Sequence, residues 1–168
     1  TFVVIKHGTP CGVASDPVPL TAWEKAYASD TESVFGGIIL SNSPIDATIA
    51  ETCSALFFEV LVAPDFSSEA LAILEKKKNR ILLQRGKAQQ LDTTTRTALN
   101  GLLTQERDRK NISELRCMTT NQVVDAADLD FANRIVKHAK SNAIVVVKAQ
   151  QLIGIGAGQT SRVDAVRQ

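Results

Sequence analysis

Short runs of apolar, mostly β-branched residues alternate along the chain with longer stretches of helical spacing. The runs are FVVI (2–5), VFGGIIL (34–40), EVLVAP (59–64), RILL (80–83), AIVVV (143–147) and LIGIGAG (152–158). All are short and bounded by turn formers, which predicts buried strands. Between them, PLTAWEKAYASD places Leu20, Trp23, Ala26 and Tyr27 at helical spacing, and IDATIAETCSALF opens with Asp46 as an N-cap. SSEALAILEKKKN opens with Ser67 or Ser68 and runs Ala70, Leu71 and Leu74 along one face. DAADLDFANRIVKHAKS carries a stripe of Leu129, Ala132, Ile135, Val136 and Ala139, with Asp125 and Asp128 at its amino end. AIVVVKAQQLIGIG reads as a hairpin with a short polar turn around Gln150. Strands alternating with helices predict an α/β sheet covered on both faces.

Residues 84–120 break the pattern. They are polar and weakly periodic apart from LNGLLTQ, and predict an excursion with one short strand, used as a flap over a substrate or as a dimer contact. A chain of 168 residues with 44% hydrophobic and 22% charged residues can bury one domain's core. A net charge of +1, with basic residues clustered only in EKKKNR, predicts neither a nucleic-acid nor a membrane partner. No apolar run approaches the roughly 18–20 residues of a membrane span. Cys11, Cys53 and Cys117 are widely spaced, without a CxxC pair, so a reducing cytoplasmic setting is expected and a disulfide framework or zinc site is not. The opening at Thr1, already on a strand edge, suggests an excised piece of a longer protein.

Candidate chemistry concentrates where the first run breaks into KHGTPCG, read as a Gly-Thr-Pro-Cys-Gly turn after the strand. Adjacent Lys6 and His7 on a strand point to opposite faces, so both reach one site only if the strand ends or bulges there, as Gly8 and Pro10 imply. The strand would deliver them to its carboxyl edge, where open α/β sheets place their chemistry. A histidine can exchange protons with a substrate near neutral pH, and an ammonium can steady a developing oxyanion. Cys11 lies beside the pair without a second histidine or an acid to complete a nucleophilic set, and is read as a packing residue. Gly36 and Gly37 inside a strand mark either a close backbone approach or a β-bulge. GIGAGQTSRV lacks the residues of a P-loop, yet its glycines, polar turn and Arg162 at a helix start could hold an anion. Ser41, Asn42, Ser141 and Asn142 taken singly are cap or turn residues, and His138 belongs on a helix surface.

Taken together, VIKHGTPCGVA, AYASDTESVFGGII, FFEVLVAPDFSSEALAILEKKKNRILL and VKHAKSNAIVVVKAQQLIGIGAGQTSRVDAVR resemble the AICAR transformylase/IMP cyclohydrolase family in order and register. The resemblance covers most of the chain outside 84–120 and implies a three-layer α/β/α sandwich of the cytidine-deaminase-like type. On it, residues 1–168 correspond to the first of the family's two transformylase subdomains. The implied reaction is formyl transfer from 10-formyltetrahydrofolate to the exocyclic amine of 5-aminoimidazole-4-carboxamide ribonucleotide (AICAR), in the biosynthesis of IMP. Both small molecules are the implied partners, with a homodimer in the full-length protein, which also carries the cyclohydrolase.

By the same resemblance, Lys6 and His7 take the positions of the family's proton-transfer pair, and Asn142 that of an asparagine near the reacting groups. Phe35 and Gly36 fall where the base packs, Glu59 near the ribose, and Arg162, with Gln159 as companion, where the nucleotide is held. A structural potassium ion is a further implied component, and zinc is not: HGTPCG lacks the HxE and PCxxC elements of zinc deaminases. Gly8-Thr9 departs from the family's usual Ala-Asn after the pair. The first reading is thus an enzyme part whose site is completed elsewhere. Its rivals are a zinc-free, deaminase-like enzyme acting alone on a nucleotide, and a catalytically silent nucleotide-binding domain of the same fold.

Overall fold

A computed structural model describes residues 1–87, 91–112, 114–118 and 125–168. The elements in chain order are β1 (Phe2–Lys6), β2 (Thr9–Ala14), α1 (Pro19–Ala28), β3 (Gly37–Ser41), α2 (Ala47–Ser54), β4 (Phe58–Ala63), α3 (Ser68–Leu74) and β5 (Ile81–Gln84). They continue with β6 (Thr93–Ala98), β7 (Gly101–Glu106), α4 (Ala126–Val136), β8 (Ile144–Lys148), β9 (Gln151–Gly156) and α5 (Arg162–Arg167). Seven strands form one sheet in the order β5-β4-β3-β1-β2-β9-β8, and β6 and β7 form a separate two-stranded arm.

The sheet is mixed. β3, β4 and β5 run parallel, joined by the α2 and α3 crossovers, whereas β1–β2, β1–β3, β2–β9 and β8–β9 pair antiparallel. The expected caps are in place: Asp46 Oδ1 accepts the Ile49 N–H at 2.9 Å and Ser67 Oγ the Ala70 N–H at 3.1 Å, each worth about 1 kcal/mol. Asp125 caps α4 in the same way. The hairpin around Gln150 is a two-residue turn of Ala149 and Gln150, both at positive φ. Its two N–H groups donate to the carboxylate of Asp128, at 2.8 and 2.7 Å.

Two apolar clusters lie on the two faces of the sheet. Phe2, Val4, Ile39, Phe58 and Leu61 pack under α1, α2 and α3, with Trp23, Ile49 and Leu74 interlocking from the helices. On the other face Val13 and Leu152 meet Ile135 and Phe131 of α4. This is the expected three-layer α/β/α arrangement, with α4's buried face centred on Phe131 and Ile135 while Leu129 stays exposed. The third layer is partial. Over β3–β5 the face opposite the main cluster carries Ile38 beside Val60 and Ile81, and Leu40 beside Val62 and Leu83, and Ile38, Ile81 and Leu83 are exposed.

Several sequence expectations need correction. The turn after β1 is His7-Gly8 alone, at φ 52° and 78°, and residues 9–14, expected to begin as a turn, are a full strand. Pro10 is tolerated because the β1–β2 register slips between Val4 and Ile5, leaving Cys11 as the extra residue of a bulge. Gly12 is required because a Cβ there would land on the Ala26 carbonyl of α1. Gly36 precedes β3 instead of lying within it, while Gly37 opens the strand at a register shift and meets Val4 closely, so close approach and bulge occur together. Residues 84–120 hold two strands of a hairpin instead of one; the parts of this excursion at 88–90, 113 and 119–120 lie outside the described residues.

Candidate functional site

The antiparallel placement of β1 decides the site. Because β1 runs against β3, its carboxyl end lies beside the amino ends of β3 and β4, and the β8–β9 hairpin brings the start of β8 and the end of β9 to that same edge. The edge is therefore not the common carboxyl end of a parallel sheet, which corrects the sequence expectation, but a mixed edge made by hairpins. All eight residues singled out from the sequence lie on or beside it.

The first group surrounds the β1–β2 tip. Lys6 is the last residue of β1, half-buried, and its Nζ donates to the Phe35 carbonyl at 2.7 Å. His7 occupies the first position of the turn, exposed, with no protein hydrogen bond to its ring among the described residues. Two consecutive residues at positive φ make the tight turn that suits twisted hairpins, and Gly8 meets the second requirement without strain. Gly36, at φ 72°, donates its N–H to the Phe57 carbonyl at 2.8 Å. The Phe35 and Phe57 rings lie 5.1 Å apart at 40°, both about half exposed, as an aromatic shelf beside the Lys6 ammonium. Glu59 is exposed and sits where the β3–β4 register skips from Phe58 to Val60.

Phe57 was missed by the sequence reading. Its signal was available, an apolar aromatic placed ahead of β4's buried Phe58, where a strand start has no core to fill. The loop before Phe35 is fixed by Asp30, whose carboxylate accepts the N–H groups of Ser33 and Glu32 at 2.8 and 3.1 Å. Bonds from Ser33, above all, hold that carboxyl below the usual carboxylate range. Cys11 is buried, its Sγ against the Val4 carbonyl, and burial, aided by Asp30, pushes its thiol up despite Lys6 nearby. A thiol so placed is a packing group, as expected.

The second group joins the entrance of β8 to the loop after β9. Asn142 exchanges backbone hydrogen bonds with Gln159, and its side-chain Nδ2 donates to the Gln159 and Thr160 carbonyls at 3.0 and 3.2 Å. Both amide hydrogens are thus committed, leaving Oδ1 as the atom that can accept from a ligand. Gln159 serves through its backbone, while its side chain donates to Gln168. The N–H groups of Gly158 and Gln159 are spent on the Lys140 and Asn142 carbonyls, so the expected glycine cradle offers no backbone donors there. Arg162, the first residue of α5, is exposed, and no ion pair engages it among the described residues.

The two groups flank β2 and β9. These strands pair only at Ala14 and Gln151, at their far ends, so no ladder forms between them toward the site edge. Among the described residues no side chain of one group hydrogen-bonds to the other. Among the same residues no cluster of three or more His, Cys, Asp or Glu side chains is placed to hold a metal, and no helix is long and apolar enough to cross a membrane.

Fold and edge together define an α/β/α domain that carries basic, amide and aromatic groups on one mixed sheet edge. The family model described as the AICARFT/IMPCHase bienzyme matches residues 1–168. Among similar curated proteins are several named bifunctional purine biosynthesis protein PurH. That of Bacteroides thetaiotaomicron is 46% identical, covering 100% of this chain and 34% of its own length. That of Chloroflexus aurantiacus is 46% identical over 98% of this chain and 33% of its own, and that of Lacticaseibacillus casei 44% over 98% and 34%. The chain belongs to the AICARFT/IMPCHase bienzyme family, whose relatives are purine-biosynthesis proteins, and it spans about a third of their length.

Proposed function

We propose that this chain is the first subdomain of a transformylase and supplies part of a site that moves a formyl group from 10-formyltetrahydrofolate to the amine of AICAR. The observation that carries the reading is the pairing of a fixed ammonium with a free imidazole. Lys6 is locked onto Phe35 at the tip of a hairpin whose next residue, His7, presents its ring to solvent. In the reaction the amine nitrogen attacks the formyl carbon, a C–N bond forms, and the carbonyl oxygen gains charge that Lys6 is placed to steady. His7 takes the proton from the attacking amine and returns it to N10 of the folate as that C–N bond breaks, so charge and protons balance. Asn142 Oδ1 accepts a hydrogen bond from an amine or carboxamide N–H, the Phe35–Phe57 shelf packs against a planar ring, and Arg162 and Glu59 face the polar remainder of the nucleotide.

The separation of the Lys6 group from the Asn142 group supports a half-site that the remainder of a longer, dimeric protein completes. It equally favours one second reading, a nucleotide-binding domain without turnover of its own. The test replaces the matching segment of the Bacteroides thetaiotaomicron relative with this chain and assays formyl transfer. Transfer that falls at least tenfold in Asn142→Ala, with AICAR still bound, supports the reading. Undiminished transfer in that variant refutes Asn142's role, and AICAR binding without any transfer in the unsubstituted chimera supports the silent domain.

A further inference from the structure

Away from the sheet edge, and apart from the EKKKNR run at 75–80, positive charge gathers at a second place that the formyl-transfer reading does not use. The β6–β7 arm turns one face toward the carboxyl end of α4, and the groove between them, about 790 Å³, is lined by Thr94, Arg96, Gln105, Arg107, Arg109 and Lys137, with Asp108, Asn111 and His138 also in the lining. The strand register explains the lining. Thr94 lies opposite Gln105, and Arg96 and Arg107, two residues on along their antiparallel strands, flank that pair from opposite sides, so all four share one face of the arm. Arg109 is occupied by Asp92 at 2.7 Å and Lys137 by Asp108 at 3.5 Å. Arg96 and Arg107 have no carboxylate partner among the described residues. In a chain of net charge +1 this excess is local.

We propose that this groove binds a small polyanion, a molecule carrying two or more carboxylate or phosphate groups. Guanidinium forks match the paired oxygens of either group, and the Thr94 hydroxyl and Gln105 amide add neutral donors between them. No Phe, Tyr or Trp lines the groove and His138 is its one ring, so it lacks the run of aromatic platforms on which successive bases stack, which favours a small anion over a nucleic-acid strand. The arm gives the ligand something to do. A two-stranded hairpin alone is marginal in water, and β7 is exposed along its whole length. An anion held between Arg96, Arg107 and Lys137 ties the arm to α4, where β6 and β7 otherwise form a sheet of their own.

The test titrates the protein by calorimetry with tripolyphosphate and, separately, citrate, at about 0.15 M chloride, where surface attraction is screened beyond roughly 8 Å. One-site binding of either probe is expected, weakened at least tenfold in Arg96→Gln/Arg107→Gln. It should change less than twofold in Lys76→Gln/Lys78→Gln, which removes the same charge elsewhere. Binding of tripolyphosphate alone assigns a phosphorylated ligand, and binding of citrate alone an oligocarboxylate. Hydrogen exchange at residues 93–106 should be the same in the two proteins without ligand, which excludes a folding defect, and should slow on binding only in the unsubstituted protein. Failure of both probes to bind, equal weakening in the two double variants, or a short oligonucleotide binding more tightly than either probe overturns the proposal.

Discussion

Replacing His7 with asparagine separates the imidazole from the backbone that presents it. His7 sits at φ 52° in the hairpin turn, a conformation that costs an ordinary L-residue such as alanine about 1–2 kcal/mol but that histidine and asparagine both enter more readily. The ring is exposed and makes no hydrogen bond within the described chain, so its loss removes no packing and leaves no buried group unpaired. Folding stability should therefore change by less than about 0.5 kcal/mol. A general base contributes about 10²–10⁴-fold, which at about 1.4 kcal/mol per decade is roughly 3–5.5 kcal/mol of barrier. The expected outcome is a large split: formyl transfer by the chimeric enzyme falls at least a hundredfold while its urea midpoint and AICAR affinity hold. His7→Ala should lose the same activity and, in addition, about 1 kcal/mol of stability from the strained turn. Transfer by His7→Asn within threefold of the parent, in a protein shown to be folded, would refute the proton-transfer role. Equal loss of activity and stability would show that the turn, not the imidazole, matters.

Gly12→Ala should destabilise the fold by about 3 kcal/mol or more, read as a lowered urea midpoint, because its methyl group would meet the Ala26 carbonyl and α1 cannot yield without leaving the sheet. Asp128→Ala should cost about 2 kcal/mol by the same measurement, since it strips the acceptor from both turn N–H groups of the β8–β9 hairpin; these are solvent-exposed donors that water can satisfy, which brings the loss below the roughly 3 kcal/mol at the low end for two charge-assisted bonds. In native protein at pH 8, iodoacetamide should spare Cys11 and Cys53 and label both after unfolding, as mass mapping of the peptides will show, because burial pushes both thiols up. Rapid native labelling of Cys11 would restore it as a nucleophile.

Strand and helix positions were legible wherever local pattern and tertiary environment agreed. The caps at Asp46 and Ser67 were written in side chains that act three residues from themselves, and the hairpin at Gln150 in the polar break between two apolar runs, although its turn is held by Asp128 from far along the chain. β2 was not legible, because Pro10 and Gly12 carry turn chemistry by composition. Their reasons for sitting in a strand, a slipped register with β1 and the close passage of α1, are contacts made far along the chain. The arm was half legible for a similar reason: Thr93–Ala98 buries nothing, so it lacks the apolar alternation that marks a strand. At the site, the Lys-His pair and Arg162 stood out as residue types. That Lys6 is held by a carbonyl 29 residues away, that Asn142 keeps only its oxygen free, and that the glycine turn spends its own N–H groups followed from hydrogen bonds no spacing encodes. The mixed edge was hidden because a local pattern gives strands but not their directions.

In the proposed reading the Lys6 group and the Asn142 group, parted along one sheet edge, hold one ligand. Titration of AICAR into the ¹⁵N-labelled protein tests it most directly, by following the amides of Gly36 and Phe57 on one side and of Asn142 and Gln159 on the other. The account predicts that both sets shift and saturate together with a single affinity, and that Arg162→Gln weakens the shifts of both. Shifts confined to one set, or two sets saturating at different concentrations, would contradict it.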